Sequence, residues 1–169
     1  DYAYAQGVTV SAAAADEDSF HHNVPATNNH TLNVHSIRQD SSSLSQATTF
    51  LNFDNCSNYG AQTLLSVPSS ACASGATANM AGIAGILYSA ALKADLPAPG
   101  AYATDPEKVR RISAAEIRQL VIMTAEDIYV PESATDRTKY ESKPGWDQRF
   151  QYGRVNLRRA VDEVLAGRV

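Results

Sequence analysis

The sequence of 169 residues has the length of a single domain, and a hydrophobic fraction of 44% beside only 19% charged residues is typical of a globular chain and excludes a disordered one. The formal net charge of -4 does not fit the basic surface of a nucleic-acid binder and disfavours an anionic membrane surface. No apolar run approaches the roughly 20 residues that a membrane span requires. The two cysteines are too few for a disulfide-rich scaffold or a four-cysteine zinc site.

A short helix and a buried strand are predicted at the start of the chain. The residues before Gly7 are typical of the last turns of a helix that ends at this glycine. The apolar, uncharged run 7–15 predicts a strand buried on both faces, as in a parallel sheet, and the acidic and polar residues 16–23 predict a loop. A chain that starts within a helix is expected to be cut from something longer, although an ordinary N-terminal helix would have the same pattern.

Two more strands are predicted in the first half of the chain. Residues 31–37 alternate at period two, with Leu32, Val34 and Ser36 on one face. The apolar run 61–67, which a proline ends, predicts another short strand. A buried parallel strand needs a neighbour on each side, and three strands supply few, so the pattern again favours a missing half.

Helices are predicted to dominate the second half, which makes the class α/β. Apolar residues at helical spacing predict a helix over 74–93. Three glycines within it would weaken an isolated helix, so they predict close packing by neighbouring elements: Gly75, Gly82 and Gly85. Ser113 and Glu116 have the spacing of a capping box that opens a further helix, and residues 155–165 predict a final amphipathic helix. Polar or Pro/Gly-rich stretches predict loops at 39–49, 95–107 and 130–149.

Two residues are candidates for chemistry on the pattern alone. Ser74 stands at the predicted start of the long helix, where it would be either an ordinary N-cap or a nucleophile beside the N–H groups that could stabilise an oxyanion. The N-cap is the more common role. Asp16 follows the first buried strand, and functional groups gather at the carboxyl ends of strands in open α/β sheets, although a solvated acidic turn would have the same sequence.

The histidines and cysteines leave two further interpretations open. Zinc binding by His21, His22, His30 or His35 with the cysteines is disfavoured, because no pair has a standard ligand spacing. Cys56 and Cys72 flank 15 residues, and they could form a disulfide or remain two buried thiols, depending on the compartment.

Several segments, taken in order, resemble the C-terminal half of a subtilisin-like serine peptidase (subtilase, S8 family). The segment 72–82, Cys-Ala-Ser-Gly-Ala-Thr-Ala-Asn-Met-Ala-Gly, resembles the nucleophile signature Gly-Thr-Ser-x-Ala-x-Pro-x-Val-Ala-Gly. The register with Ser74 at the nucleophile matches best, and a second register would place Thr77 there. The other matching segments are 7–17, 23–26, 32–37, 55–60, 65–68, 113–125 and 152–156, so the resemblance covers nearly the whole chain.

The resemblance implies that residues 1–169 form the C-terminal part of one S8 catalytic domain, a doubly wound parallel-sheet sandwich of three layers. It implies that Ser74 is the nucleophile and that Asp16 takes the position of the oxyanion-hole Asn. The catalytic His and Asp would come from the N-terminal half, so the isolated chain is expected to be inactive. The family is usually secreted, which favours the disulfide. Calcium is common in the family, but no ligand set can be named here.

The expected function is therefore serine endopeptidase activity on a peptide or protein substrate, with the N-terminal half as partner. The alternative is a catalytically inactive subtilase fold that serves as a binding or structural subunit. Departures from the family pattern motivate this alternative, namely those at Asp16, Cys72, Ala73 and Ala78.

Overall fold

A computed structural model describes residues 1–40, 45, 48–99, 111–130, 140 and 142–169. The helices are α1 (Tyr2–Ala5), α2 (Cys72–Lys93), α3 (Ala114–Met123) and α4 (Leu157–Leu165), and the strands are β1 (Val10–Ala13), β2 (Thr31–Arg38), β3 (Asn52–Phe53) and β4 (Leu65–Pro68). Parts of the three stretches predicted as loops lie outside the described residues.

The predicted helix end at Gly7 is confirmed. Gly7 has a φ of +71°, a left-handed conformation that glycine adopts without the strain of a Cβ. The Gly7 N–H donates to Tyr4 O at 2.8 Å and the Val8 N–H donates to Ala3 O at 2.9 Å. These are the two bonds of a Schellman motif, so α1 ends where the sequence predicts.

The sheet is built around β2. β1 pairs with β2 in parallel, from Val10 opposite Thr31 to Ala13 opposite Val34. β4 pairs with β2 in parallel over the second half of β2. β3 pairs antiparallel with the last two residues of β2, Ile37 and Arg38. The three predicted strands are therefore present. β3 was not predicted, since two residues are too few to show a period.

β2 is buried on both faces, including the face opposite Leu32, Val34 and Ser36. Asn33 is 1% exposed and His35 0% exposed, although both alternate with Leu32, Val34 and Ser36. The reason is the central position of the strand. α2 covers one face, and a second apolar cluster around Ile37 and Phe150 forms on β2 and the segments beside it.

α2 is the main core helix and begins at Cys72, two residues earlier than predicted. Its buried side chains pack with those of β2, β4, α3 and α4 and are Ala73, Ala76, Met80, Ala84, Leu87, Ala90 and Ala91. Contrary to the expectation that no run is long enough, α2 could cross a membrane by length and composition alone, a criterion that the core helices of proteins meet as well. The close packing predicted from glycines holds at one of three positions. A Cβ on Gly75 would collide with Ser69 Oγ, whereas a Cβ on Gly82 or Gly85 would meet no described atom within 4 Å.

The predicted capping box of α3 is confirmed, because Glu116 N–H donates to Ser113 Oγ at 3.1 Å and Ser113 N–H donates to Glu116 Oε2 at 2.7 Å. α4 begins at Leu157 rather than at residue 155, after a cap in which Arg159 N–H donates to Asn156 Oδ1. α4 packs against α2 and α3, which closes the helical layer over the sheet.

Candidate active site

The two candidate residues lie at the N-terminal end of α2, beside the carboxyl end of β1. Asp16 follows β1 by three residues, and Ser74 lies in the first turn of α2. Asp16 Oδ1 accepts a hydrogen bond of 2.9 Å from the Ala73 N–H, the residue immediately before Ser74. Residues 57 positions apart in the sequence are therefore in contact, as expected for strand ends and helix starts in an α/β sheet.

The N-cap interpretation of Ser74 is wrong. α2 begins at Cys72 and its N-cap is Ala71, which has no side chain able to accept a bond from the first turn. Asp16 supplies that acceptor from a distant part of the chain. Ser74 is therefore not needed as a cap, since an N-cap side chain serves the first unpaired N–H groups of a helix.

The hydroxyl of Ser74 is accessible. The residue is exposed, and no hydrogen bond within the described part of the chain involves its Oγ. Thr77 differs, because it is half-buried and its Oγ1 donates to Ala73 O at 2.8 Å inside the helix. Ser74 and Thr77 are the two candidate nucleophiles in the sequence. Of these two, only the Ser74 hydroxyl makes no hydrogen bond to another described residue.

A disulfide between Cys56 and Cys72 holds the start of α2, with their Cα atoms 5.6 Å apart. The sequence left this pairing open. Cys72 has a φ of +44°, a left-handed conformation that is unfavourable for a residue with a Cβ. Ser69 Oγ accepts from the Ala71 N–H at 3.0 Å and donates to Cys72 O at 3.3 Å. The turn before Ser74 is therefore fixed by one covalent bond and two hydrogen bonds.

Asn58 organises the loop that follows Asp16, a role that the sequence did not reveal. Its side chain is fully buried. Its Oδ1 accepts from Glu17 N–H at 2.8 Å and Ser19 N–H at 3.3 Å, and its Nδ2 donates to Glu17 Oε2 at 3.0 Å and His21 O at 2.6 Å. The bond from Asn58 is the main cause that lowers the pKa of Glu17. In the sequence Asn58 stood within the segment 55–60 of the family resemblance without an assigned role, and its partners are too far along the chain for a local pattern to show.

The histidines nearest the surface contact neighbouring carboxylates. His21 Nδ1 lies 3.2 Å from Glu17 Oε2, and His30 Nδ1 lies 2.8 Å from Asp1 Oδ1. His22 is partly buried, and desolvation lowers its pKa. These residues do not form a shared metal-ligating group within the described ranges.

His35 is buried in β2 and is not a base for Ser74. Its Nε2 lies 2.7 Å from Ser66 Oγ, and the Ser66 hydroxyl donates to Phe150 O at 3.1 Å. Burial, together with the nearby Arg149 charge, lowers the pKa of His35 to about 3, so the ring is neutral near pH 7. Among the described residues no histidine is hydrogen-bonded to Ser74.

A metal site does not fit the residues near the disulfide. In the described part of the chain, the one group of three potential ligands is Asp54, Cys56 and Cys72. The two sulfurs are bonded to each other, so neither is a thiolate. Calcium prefers six to eight oxygen ligands, and this group offers a single carboxylate.

The arrangement offers an exposed hydroxyl at the positive end of a helix dipole. Unpaired N–H groups in the first turn of a helix favour a developing negative charge, as in an oxyanion hole. Asp16 works against this effect when ionised, because it places a carboxylate on one of those N–H groups. A serine hydroxyl also needs an adjacent base to become a strong nucleophile.

The solved structures that this chain resembles include three proteases. The chain is similar to the prenylagaramide maturation protease PagA (15% identity, TM-score 0.63, covering 94% of this chain and 50% of that one). It is similar to a lanthipeptide protease (16% identity, TM-score 0.58, 95% and 52% covered) and to a mutant of the protease domain of PatA (17% identity, TM-score 0.61, 95% and 50% covered). The chain thus spans about half the length of these proteins.

No protein-family model matches the sequence, and no curated protein matches it. At this low identity the similarity to solved structures establishes the fold alone. The chain has the α/β fold of subtilisin-like protease domains, which confirms the predicted fold class.

Proposed function

We propose that the chain is the C-terminal half of the catalytic domain of an S8 subtilisin-like serine endopeptidase, with Ser74 as nucleophile. The observation that carries this proposal is the exposed Ser74 hydroxyl in the first turn of α2, freed from capping by Asp16. The protease fold supports it. So does the coverage of about half of each similar structure, because the other half is where a base could lie.

In the proposed reaction, Ser74 Oγ attacks the carbonyl carbon of a peptide bond while a histidine takes its proton. The negative oxygen of the tetrahedral intermediate forms near the N-terminus of α2. The histidine then donates the proton to the leaving amine, and water releases the acyl group from Ser74 by the reverse steps. A carboxylate orients the histidine. Both partners would come from a segment outside these 169 residues.

The surface of the chain supports a partner segment of the same domain. In the described sheet β1 pairs with β2 alone, so one edge of an apolar strand is left without a neighbour. The adjacent face of α2 carries Ala81, Gly82 and Gly85, all exposed. Small residues allow another element to approach the helix closely. The disulfide supports a secreted or extracytoplasmic location, because structural disulfides persist in oxidising compartments.

A catalytically inactive binding or structural subunit is the second candidate. The hydrogen bond between Asp16 and the Ala73 N–H favours it, since a carboxylate already occupies part of the positive end of α2. An ionised Asp16 would repel an oxyanion at the same place.

A fluorophosphonate probe distinguishes the two candidates. The native preparation, with every chain that co-purifies, is treated with the probe and its peptides are analysed by mass spectrometry. The peptidase proposal expects an adduct on Ser74 that is lost in Ser74→Ala and kept in Ser89→Ala. Ser89 is the matched control because it is an exposed serine of the same helix. An adduct on Thr77 would refute the register. The absence of any adduct, with a base-bearing segment shown to be present, would favour the inactive subunit.

A further inference from the structure

We propose that Asn58 is the residue that positions Asp16 at the N-terminus of α2, and that it thereby sets which first-turn N–H groups of α2 are available beside Ser74. This inference deepens the proposed function and rests on it only for the catalytic meaning of that end of the helix. Within the described residues no hydrogen bond joins Asn58 to Ser74 or Ala73, so Asn58 is a positioning residue.

Asn58 holds the backbone on both sides of Asp16. Its own N–H donates to Ala15 O at 2.8 Å, and its Oδ1 accepts from Glu17 N–H at 2.8 Å. The carbonyl that precedes Asp16 and the N–H that follows it are therefore bound to one residue. With both flanking peptide groups fixed, the direction of the Asp16 Cα–Cβ bond is fixed as well.

The conformation leading into Asp16 depends on this restraint. Ala15 has a φ of +79°, which is unfavourable for a residue with a Cβ. Its carbonyl is the one that Asn58 N–H binds. The side-chain bonds of Asn58 hold this backbone N–H in place, so their loss would release Ala15 from its left-handed conformation, and Asp16 would turn away from α2.

The side-chain amide of Asn58 has no spare capacity. An amide offers two donors and two acceptor lone pairs. Here the donors bind Glu17 Oε2 and His21 O, and the lone pairs bind the N–H groups of Glu17 and Ser19. Full use of a buried amide within one loop indicates that the loop conformation is specified by this residue, since an unmatched polar atom at this depth would be costly.

Asn58 and the start of α2 share a common anchor. Cys56, two residues before Asn58, is joined to Cys72, and Cys72 precedes Ala73. The short segment 56–58 thus fixes the carboxylate of Asp16 through Asn58 and the N–H of Ala73 through the disulfide. The 2.9 Å bond between them is the result of these two connections.

The test measures amide hydrogen exchange at Ala73 relative to Leu87 in the native protein. Leu87 lies buried in the middle of α2 and reports general opening of the helix. In Asn58→Ala the exchange of Ala73 should rise by about tenfold more than that of Leu87, the ratio expected for loss of one charge-assisted hydrogen bond. Asp16→Ala should give the same rise, and the double variant should give no further rise.

Ser57→Ala is the matched control. Ser57 is equally buried and adjacent, but its Oγ accepts from Ser36 N–H and does not contact the Asp16 loop, so the ratio should be unchanged. If Asn58→Ala does not fold, Asn58→Ser keeps a hydroxyl that can accept from Glu17 N–H without placing a second carboxylate beside Glu17, and should give a smaller rise of the same kind. Equal rises at Ala73 and Leu87, or additive effects in the double variant, would overturn the proposal.

The same samples are treated with the fluorophosphonate probe, which tests the proposed function separately. Labelling of Ser74 in the unmodified protein with an unchanged exchange ratio in Asn58→Ala would refute the positioning role and leave the peptidase intact. The expected exchange ratio without labelling would support the positioning role and count against catalysis.

Discussion

Replacing Asp16 by alanine tests the claim that a distant carboxylate caps α2. The N-cap residue Ala71 makes no side-chain bond to the helix, so Asp16→Ala would leave the Ala73 N–H without its protein acceptor. Loss of an N-cap acceptor costs about 1 kcal/mol, and Asp16 is exposed, which places it near that value rather than higher. For a chain of this size such a loss lowers the melting temperature by about 2–4 °C.

The measurement is the free energy of unfolding from urea titrations of the unmodified protein and three variants. Asp16→Asn keeps a carbonyl oxygen as acceptor, so it should lie within about 0.5 kcal/mol of the unmodified protein. Asp162→Ala is the control, since it removes an exposed carboxylate whose partner Arg158 is also exposed. The loss of this surface ion pair should lower the free energy of unfolding by only about 0.3–0.5 kcal/mol. Equal losses in Asp16→Asn and Asp16→Ala, or no loss in either, would refute the capping argument.

Three further predictions follow from the same structure. Removing the disulfide by Cys56→Ala with Cys72→Ala should lower the free energy of unfolding by about 3 kcal/mol, measured by urea titration; an unchanged midpoint would contradict the anchoring role. The pKa of His35 is about 3 in the folded chain against 6.5 for an unperturbed histidine, so the unfolded state binds the proton first. Stability should therefore fall as pH drops from 6.5 towards 3, by up to about 1.4 kcal/mol per pH unit, and His35→Gln should lose this slope in pH-dependent denaturation. Gly75→Ala should destabilise the chain, because the new Cβ collides with Ser69. Gly82→Ala has open space around its Cβ and should raise the melting temperature of the chain measured by itself, with a gain in stability of up to about 1 kcal/mol. The reverse order of melting temperatures would contradict the packing described around these two glycines.

Local signals predicted the elements whose partners are local. The capping box of α3 joins residues three positions apart, and the end of α1 depends on Gly7 and the preceding turn. α2 was predicted because its buried residues recur at helical spacing along one sequence segment. In each case the sequence window contains both the residue and what it contacts.

The parts that could not be predicted depend on contacts across the chain. His35 is buried beside Ser66, 31 positions away, so its period-two alternation with Leu32 and Val34 could not show that its own face is buried as well. Asn58 binds the N–H of Glu17, 41 positions away, and nothing near it in the sequence indicates that loop. Ser74 was interpreted as a cap on its pattern alone because the true cap, Asp16, lies on another element.

The edge of β1 that no described strand covers has a consequence for handling the protein. An apolar strand with one side of its backbone unmatched is a template onto which an identical strand from another molecule can add. The 169 residues produced by themselves should therefore associate with increasing concentration, and a lysine introduced at Val8, an exposed residue just before this edge, should reduce that association. Yield and colloidal behaviour of the recombinant chain thus depend on what covers this strand as much as on the stability of its core.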